Sequence, residues 1–209
     1  MMGLRVFTVL MSCFLLFGFV QDSHAQDAAA VEGVQTEDAP DLSLATAQKK
    51  ALSSKVKDVM HSLEKDELHH FMVIYANYSV YNMVSTVRGD VQKAADACAK
   101  NNPDMAEEIT SRFSKWDETI GGGLKDARTN IDNLSLAQNY LPKADFEMLF
   151  SLVDSTRSAT TSSFERIPVT TPEACTYMLS KMDETESSMK GALDQTLISY
   201  PNLLKATQE

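Results

Sequence analysis

Residues 105–134 read MAEEITSRFSKWDETIGGGLKDARTNIDNL, and the spacing of apolar side chains in this stretch decides the fold. An apolar residue recurs at every third or fourth position, which is the period of a helix that buries one face. Each glycine costs about 1 kcal/mol relative to alanine in a helix interior, so the three consecutive glycines predict a kink or a hinge. The period continues beyond them on the same face. The row contains Met105, Ile109, Phe113, Trp116, Ile120, Leu124, Ala127, Ile131, Leu134 and, further on, Leu141.

Four other segments carry the same period, and turn signals separate them. The predicted helices span 41–63, 66–101, 103–141, 143–167 and 172–200. Prolines stand at most of the boundaries, where they restrict the preceding residue or stop the helix. The acidic cluster 64–67 predicts a break between the first two helices. The sequence therefore predicts an all-α fold, an antiparallel up-down-up-down bundle of four to five long helices.

The N-terminus predicts export. Arg5 precedes an almost wholly apolar run, 6–20, and small residues follow at positions that a signal peptidase reads. We expect residues 1–25 to be a signal peptide cleaved between Ala25 and Gln26, with an uncleaved membrane anchor as the alternative. Residues 26–40 are small and acidic, and they predict a disordered leader. Residues 41–209 then form a single helical-bundle domain in the periplasm or outside the cell.

Removal of the signal peptide leaves two cysteines, Cys98 and Cys175. In an oxidising compartment such a pair predicts a disulfide, and two buried free thiols are the alternative. Cys98 lies in the last turn of the second predicted helix and Cys175 in the first turn of the fifth. Because an up-down-up-down order brings those two turns to one end of the bundle, the disulfide and the topology support each other.

Charge and missing motifs exclude several classes of function. The chain carries a net charge of -10, which opposes binding to phosphate backbones and to anionic membranes. It contains no nucleophile elbow, phosphate-binding loop, zinc signature or dinucleotide fingerprint. The sequence gives no reason to expect a cofactor or catalysis. It leaves open a homodimer and a contact with an unknown envelope or secreted protein.

Two groups of side chains are candidate metal ligands. Glu67 and His70 form one E-x-x-H pattern, whereas di-iron bundles use two such motifs and further glutamates. Thioethers on one helical face can bind Cu(I), although methionine more often fills gaps in a core. The alternative for the first group is a solvated helix start. The candidate ligands are His61, Glu67, His69, His70, Met178, Met182 and Met189.

Aromatic residues suggest a candidate ligand pocket. The second helix carries an aromatic row whose hydroxyl groups could orient a polar ligand, or could simply reach water from a packed core. The candidate pocket residues are Tyr75, Tyr78, Tyr81 and Trp116. The function that these observations favour is an exported, non-catalytic bundle acting through protein contacts in an accessory or assembly role. The alternative is a periplasmic bundle that binds a metal or a small ligand.

Overall fold

The computed structural model describes residues 42–164 and 169–197, and within them every regular element is a helix. The helices are α1 (Leu42–Ser62), α2 (Lys65–Asn101), α3 (Ala106–Leu136), α4 (Lys143–Ser162) and α5 (Pro172–Gln195). A 3-10 turn at Pro103–Met105 leads into α3. The predicted signal peptide, the predicted leader and the predicted extension of the last helix to residue 200 lie outside the described residues.

Local signals in the sequence explain where the helices begin. The break between α1 and α2 falls at Leu63 and Glu64, where the Glu67 carboxylate accepts a hydrogen bond from the Glu64 backbone N–H at 2.9 Å. This is half of a capping box, and it confirms the predicted break. At the start of α5, the Thr171 hydroxyl accepts a hydrogen bond from the Ala174 N–H at 3.3 Å. The N-cap threonine, followed by Pro172, begins this helix as predicted.

Side-chain contacts along α2 show in which direction the neighbouring helices α4 and α5 run relative to it. The ring of Phe146 lies 6.2 Å from that of Phe71, and Phe150 stacks on Tyr78 with 3.9 Å between ring centroids, so α4 runs parallel to α2. Helix α5 begins beside the end of α2, at Cys175 and Cys98. The order from α2 to α5 is up, down, up, down, which confirms the predicted fold class.

The disulfide joins Cys98 and Cys175 as predicted. The two Cα atoms are 5.7 Å apart, and both side chains are fully buried. Asn102 ties the same end together, because its side-chain amide donates to the carbonyl oxygens of Cys98 (3.0 Å) and Thr170 (3.1 Å). The end of α2 and the approach to α5 are thus held by a covalent bond and by hydrogen bonds.

The buried side chains form two cores along the α2–α3 hairpin. The disulfide-end core lies between α2, α3 and α5, and the aromatic core lies between α1, α2, α4 and the end of α3. Tyr81 packs against both cores. The disulfide-end core comprises Val84, Ala95, Cys98, Ile109, Trp116, Ile120, Leu124, Ala127, Cys175, Met178, Leu179, Met182 and Leu193. The aromatic core comprises Val59, Phe71, Ile74, Tyr78, Ile131, Phe146, Leu149, Phe150 and Val153.

Helix α3 differs from its prediction at its C-terminal end. It runs without a break through Gly121–Gly123 but ends at Leu136, whereas the apolar period predicts a helix as far as Leu141. The Gln138 side chain explains the difference. Its amide donates to the Leu141 carbonyl oxygen at 2.9 Å, and its carbonyl oxygen accepts from the Leu141 N–H at 2.8 Å. These two bonds stabilise a turn in which Leu141 still packs on the aromatic core.

Candidate functional site

Helix α1 is basic, although the whole chain is acidic. Its residues include four lysines, at positions 49, 50, 55 and 57, against one aspartate, Asp58. The chain as a whole has a net charge of -10. A local excess of positive charge on an acidic protein creates a surface field that attracts anionic groups. This helix therefore carries a net positive charge on an acidic chain.

The lysines of α1 divide into one structural residue and three exposed ones. Lys55 reaches across to α4 and pairs with the Asp145 carboxylate at 2.5 Å. Lys49, Lys50 and Lys57 are exposed and have no ion-pair partner among the described residues. Their charges are available to a group outside the chain.

Two of these lysines border a groove between α1 and α2. Helix α1 packs mainly along α4, with Ala45 and Val59 as its buried residues, and this arrangement leaves a gap of about 330 Å³ on its α2 side. We call this gap the basic groove. It is lined by Lys49, Leu52, Ser53, Val56, Lys57 and Tyr75.

The floor of the basic groove is apolar. Leu52 and Val56 are only partly buried, and the Tyr75 ring lies across from them on α2, stacked on Phe71 at 6.3 Å. Burial raises the pKa of Tyr75 above 10.0, against the opposing effect of a hydrogen bond with Ser79, so its hydroxyl stays neutral. Elsewhere on α2, Met72 and Met83 are 37% and 40% exposed. An apolar floor between cationic rims suits a ligand that is itself amphipathic.

A second groove, of about 280 Å³, lies between α2 and α4 and is polar. Five of its eleven lining residues carry a hydroxyl group: Ser85, Thr86, Ser158, Thr161 and Ser162. Thr86, Thr161 and Ser162 each donate to the carbonyl oxygen four residues earlier, at 2.7 to 2.9 Å. These bonds satisfy the hydroxyl hydrogens within each helix and leave hydroxyl oxygens as acceptors.

A hydrogen-bond network joins α2 and α4 at the polar groove. The Asp154 carboxylate accepts from the Tyr78 hydroxyl at 2.9 Å and from the Asn82 amide at 2.8 Å, and Arg157 donates to the Asn82 carbonyl oxygen at 3.2 Å. Burial, followed by the hydrogen bond and the negative charge of Asp154, raises the pKa of Tyr78 well above its ordinary value. Arg128 lies 5.7 Å from the Tyr78 ring centroid. The network fixes Tyr78 at the edge of the aromatic core.

The predicted histidine and glutamate ligands do not converge. His61 is exposed at the end of α1, and the Glu67 carboxylate is engaged in helix capping. His70 lies near Tyr140, with 3.4 Å between His70 Nδ1 and the Tyr140 hydroxyl. In the described part of the chain, no three side chains of His, Cys, Asp or Glu are grouped to hold a metal ion. A metal site at these residues stays a prediction.

The predicted methionine ligands lie together in a packed core, and the predicted pocket aromatics are divided between the two cores. Met178 and Met182 are buried in the disulfide-end core, and Met189 packs against it. Trp116 lies in the same core, fully buried, with its indole N–H lacking an acceptor in the described residues. Of the four predicted pocket aromatics, Tyr75 alone lines one of the two grooves described above. Tyr75, Tyr78 and Tyr81 lie in or against the aromatic core, whereas Trp116 lies in the disulfide-end core, against which Tyr81 also packs.

The basic character of α1 was not predicted from the sequence. The signal was present, because four lysines within nine positions are unusual in a chain with a net charge of -10. The groove itself could not be predicted from the sequence, since it depends on α1 packing along α4.

Comparisons with known proteins assign no family. No family model matches the chain, and neither the curated proteins nor the solved structures give a significant match. In the described residues, none of the helices combines the length and apolar character needed to cross a membrane.

Proposed function

We propose that this chain is an exported, non-catalytic helical protein that acts through protein contacts, in an accessory or assembly role, and that the basic groove is its contact surface. The observation that carries the proposal is that two exposed lysines, Lys49 and Lys57, border an apolar floor and have no ion-pair partner within residues 42–164 and 169–197. A hydrophobic centre with a polar rim is the common design of protein interfaces. Export is supported by the signal-like N-terminus and by the Cys98–Cys175 disulfide.

Photo-crosslinking at the groove tests the contact. Ser53 lines the groove and is exposed, so a photoreactive amino acid placed there in producing cells should give discrete protein adducts. Thr129, exposed on α3, is the matched control position. Discrete adducts from position 53 and none from position 129 would support the proposal. Absence of a protein adduct from position 53, with the variant folded and abundant, would refute it.

The mass of the mature protein tests export. The purified protein should begin at Gln26, and it should be about 2 Da lighter than the fully reduced protein because the disulfide removes two hydrogens. A chain that retains residues 1–25 would contradict the proposed processing.

The polar groove supports a second candidate function, the binding of a small polar ligand. Its hydroxyl oxygens accept hydrogen bonds, and its walls carry charges of both signs, from Lys93 and Arg157 and from Asp90 and Asp154. A screen of small polyhydroxylated and anionic compounds by thermal shift tests this candidate. A ligand of this kind should raise the melting temperature of the protein but not that of an Arg157→Ala variant.

A further inference from the structure

The two lysines at the basic groove have a defined spacing. Lys49 and Lys57 are eight residues apart on α1, which is slightly more than two helical turns and about 12 Å along the axis. Leu52, Ser53 and Val56 lie between them on the groove side. The groove therefore presents a positive charge, a largely apolar stretch and a second positive charge, in that order.

We propose that the basic groove binds an amphipathic acidic helix of a partner protein, with two carboxylates about two turns apart and apolar side chains between them. This inference rests on the proposed function, because it names the chemistry of the partner in that contact. A helix laid along the groove buries its apolar stripe on Leu52, Val56 and Tyr75. Its carboxylates then pair with Lys49 and Lys57. The helix-in-groove arrangement is a common mode of peptide recognition.

The state of the lysines favours this occupant. Because Lys49 and Lys57 have no ion-pair partner among the described residues, pairing them with a ligand breaks no ion pair of the protein. Lys55, by contrast, is already bound to Asp145 and contributes to holding α1 on α4. Opposite charges at the rim also accelerate association and set the orientation of the partner.

Other occupants fit the groove less well. An anionic membrane would repel a protein with a net charge of -10. The acidic segment 26–40 of this chain has a complementary charge, but Val31 and Val34 are its only apolar residues larger than alanine. Such a segment offers little surface to bury on the groove floor. A folded partner helix supplies both the charge and the apolar stripe.

A designed peptide tests the inference. The probe is a 16-residue capped helical peptide of alanine and glutamine, with glutamates eight residues apart flanking two leucines on one face, and it carries a fluorescent label. Fluorescence anisotropy with the purified, disulfide-bonded protein should show saturable binding that weakens as salt rises. The double variant Lys49→Glu/Lys57→Glu should bind about tenfold more weakly, because two attractive pairs become repulsive.

A charge-matched variant provides the control. Lys115 and Lys125 are exposed on α3 and lie away from the groove, so Lys115→Glu/Lys125→Glu changes the net charge equally. This variant should change the affinity less than twofold. Circular dichroism should show that both variants are folded. Equal weakening by the two variants, or equal binding of a scrambled peptide, would overturn the inference.

Three further outcomes would assign the basic groove to another occupant and would therefore also overturn the inference. The first is binding to vesicles of equal parts phosphatidylglycerol and phosphatidylcholine that depends on Lys49 and Lys57. The second is self-association of the protein that Lys49→Glu/Lys57→Glu abolishes. The third is peptide binding that appears only after deletion of residues 26–40. Failure of the peptide together with protein adducts at Ser53 would overturn this inference and leave the proposed function intact. Absence of adducts at Ser53 would refute the proposed function itself.

Discussion

Tyr78 carries a hydroxyl group at the boundary between the aromatic core and the polar groove. Its ring is buried and stacked on Phe150, and its hydroxyl donates to Asp154 at 2.9 Å. Tyr78→Phe keeps the stacking and removes the hydrogen bond to a charged acceptor. We expect the free energy of unfolding to fall by about 1 to 2 kcal/mol, measured by urea denaturation.

A double-mutant cycle isolates this hydrogen bond. Asp154→Ala removes the acceptor of this hydrogen bond. The double variant Tyr78→Phe/Asp154→Ala should therefore lose less stability than the sum of the losses of the two single variants. Tyr177→Phe is the matched control, because Tyr177 is 64% exposed and should change stability little. Additive effects of Tyr78→Phe and Asp154→Ala would mean that the two groups do not interact.

His70 makes stability depend on pH. Burial, and then the neighbouring charge of His69, lowers the pKa of His70 below 6.5 in the folded protein. As the pH falls, His70 is therefore protonated in the unfolded chain before it is protonated in the folded protein. The contribution of neutral His70 to the free energy of unfolding is complete above pH 6.5 and is lost as the pH falls below that value. We expect the urea midpoint to fall between pH 7 and pH 5. His70→Gln should reduce that fall.

The glycine triplet in α3 shows how one helix accommodates another. A Cβ atom at Gly123 would lie 2.9 Å from Cδ1 of the buried Leu193 on α5, whereas one at Gly122 would meet nothing within 4 Å. Gly122→Ala should therefore stabilise the protein by about 1 kcal/mol through helix propensity alone. Gly123→Ala should be at least about 1 kcal/mol less stable than Gly122→Ala, because Leu193 must move. Thermal denaturation of both variants checks this order.

The elements also show what the sequence could and could not predict. The apolar period and the prolines predicted four to five helices, and the positions of Cys98 and Cys175 agreed with the predicted up-down-up-down order, because these signals are local or are fixed by one covalent bond. The end of α3 was missed because Gln138 forms a turn through its own side chain, which the apolar period does not record. The basic groove was missed because it depends on where α1 packs. The separation of Tyr75 from Trp116 was missed for a similar reason, because they lie on different helices and pack in different cores.

At the scale of the whole molecule, the disulfide crosslinks positions 77 residues apart. In the loop-entropy model a crosslink of this span stabilises the folded state by roughly 4 kcal/mol, through restriction of the unfolded chain. The variant Cys98→Ala/Cys175→Ala should therefore lose stability on that scale in urea denaturation. A reduced wild-type protein should lose a similar amount. Unchanged stability in both would mean that the bond does not constrain the unfolded chain.

The division of the buried residues into two cores predicts which helices lose most stability when the disulfide is removed. Helix α5 packs in the disulfide-end core, and its first turn is held by Cys175 and by the Asn102 bond to Thr170. Helices α1 and α4 pack in the aromatic core at the other end of the α2–α3 hairpin. Removal of the disulfide should accelerate amide hydrogen exchange in α5 more than in α4, since local opening follows local contacts. Equal acceleration in both helices would mean instead that Tyr81 and the continuous α2 and α3 couple the two cores into one cooperative unit.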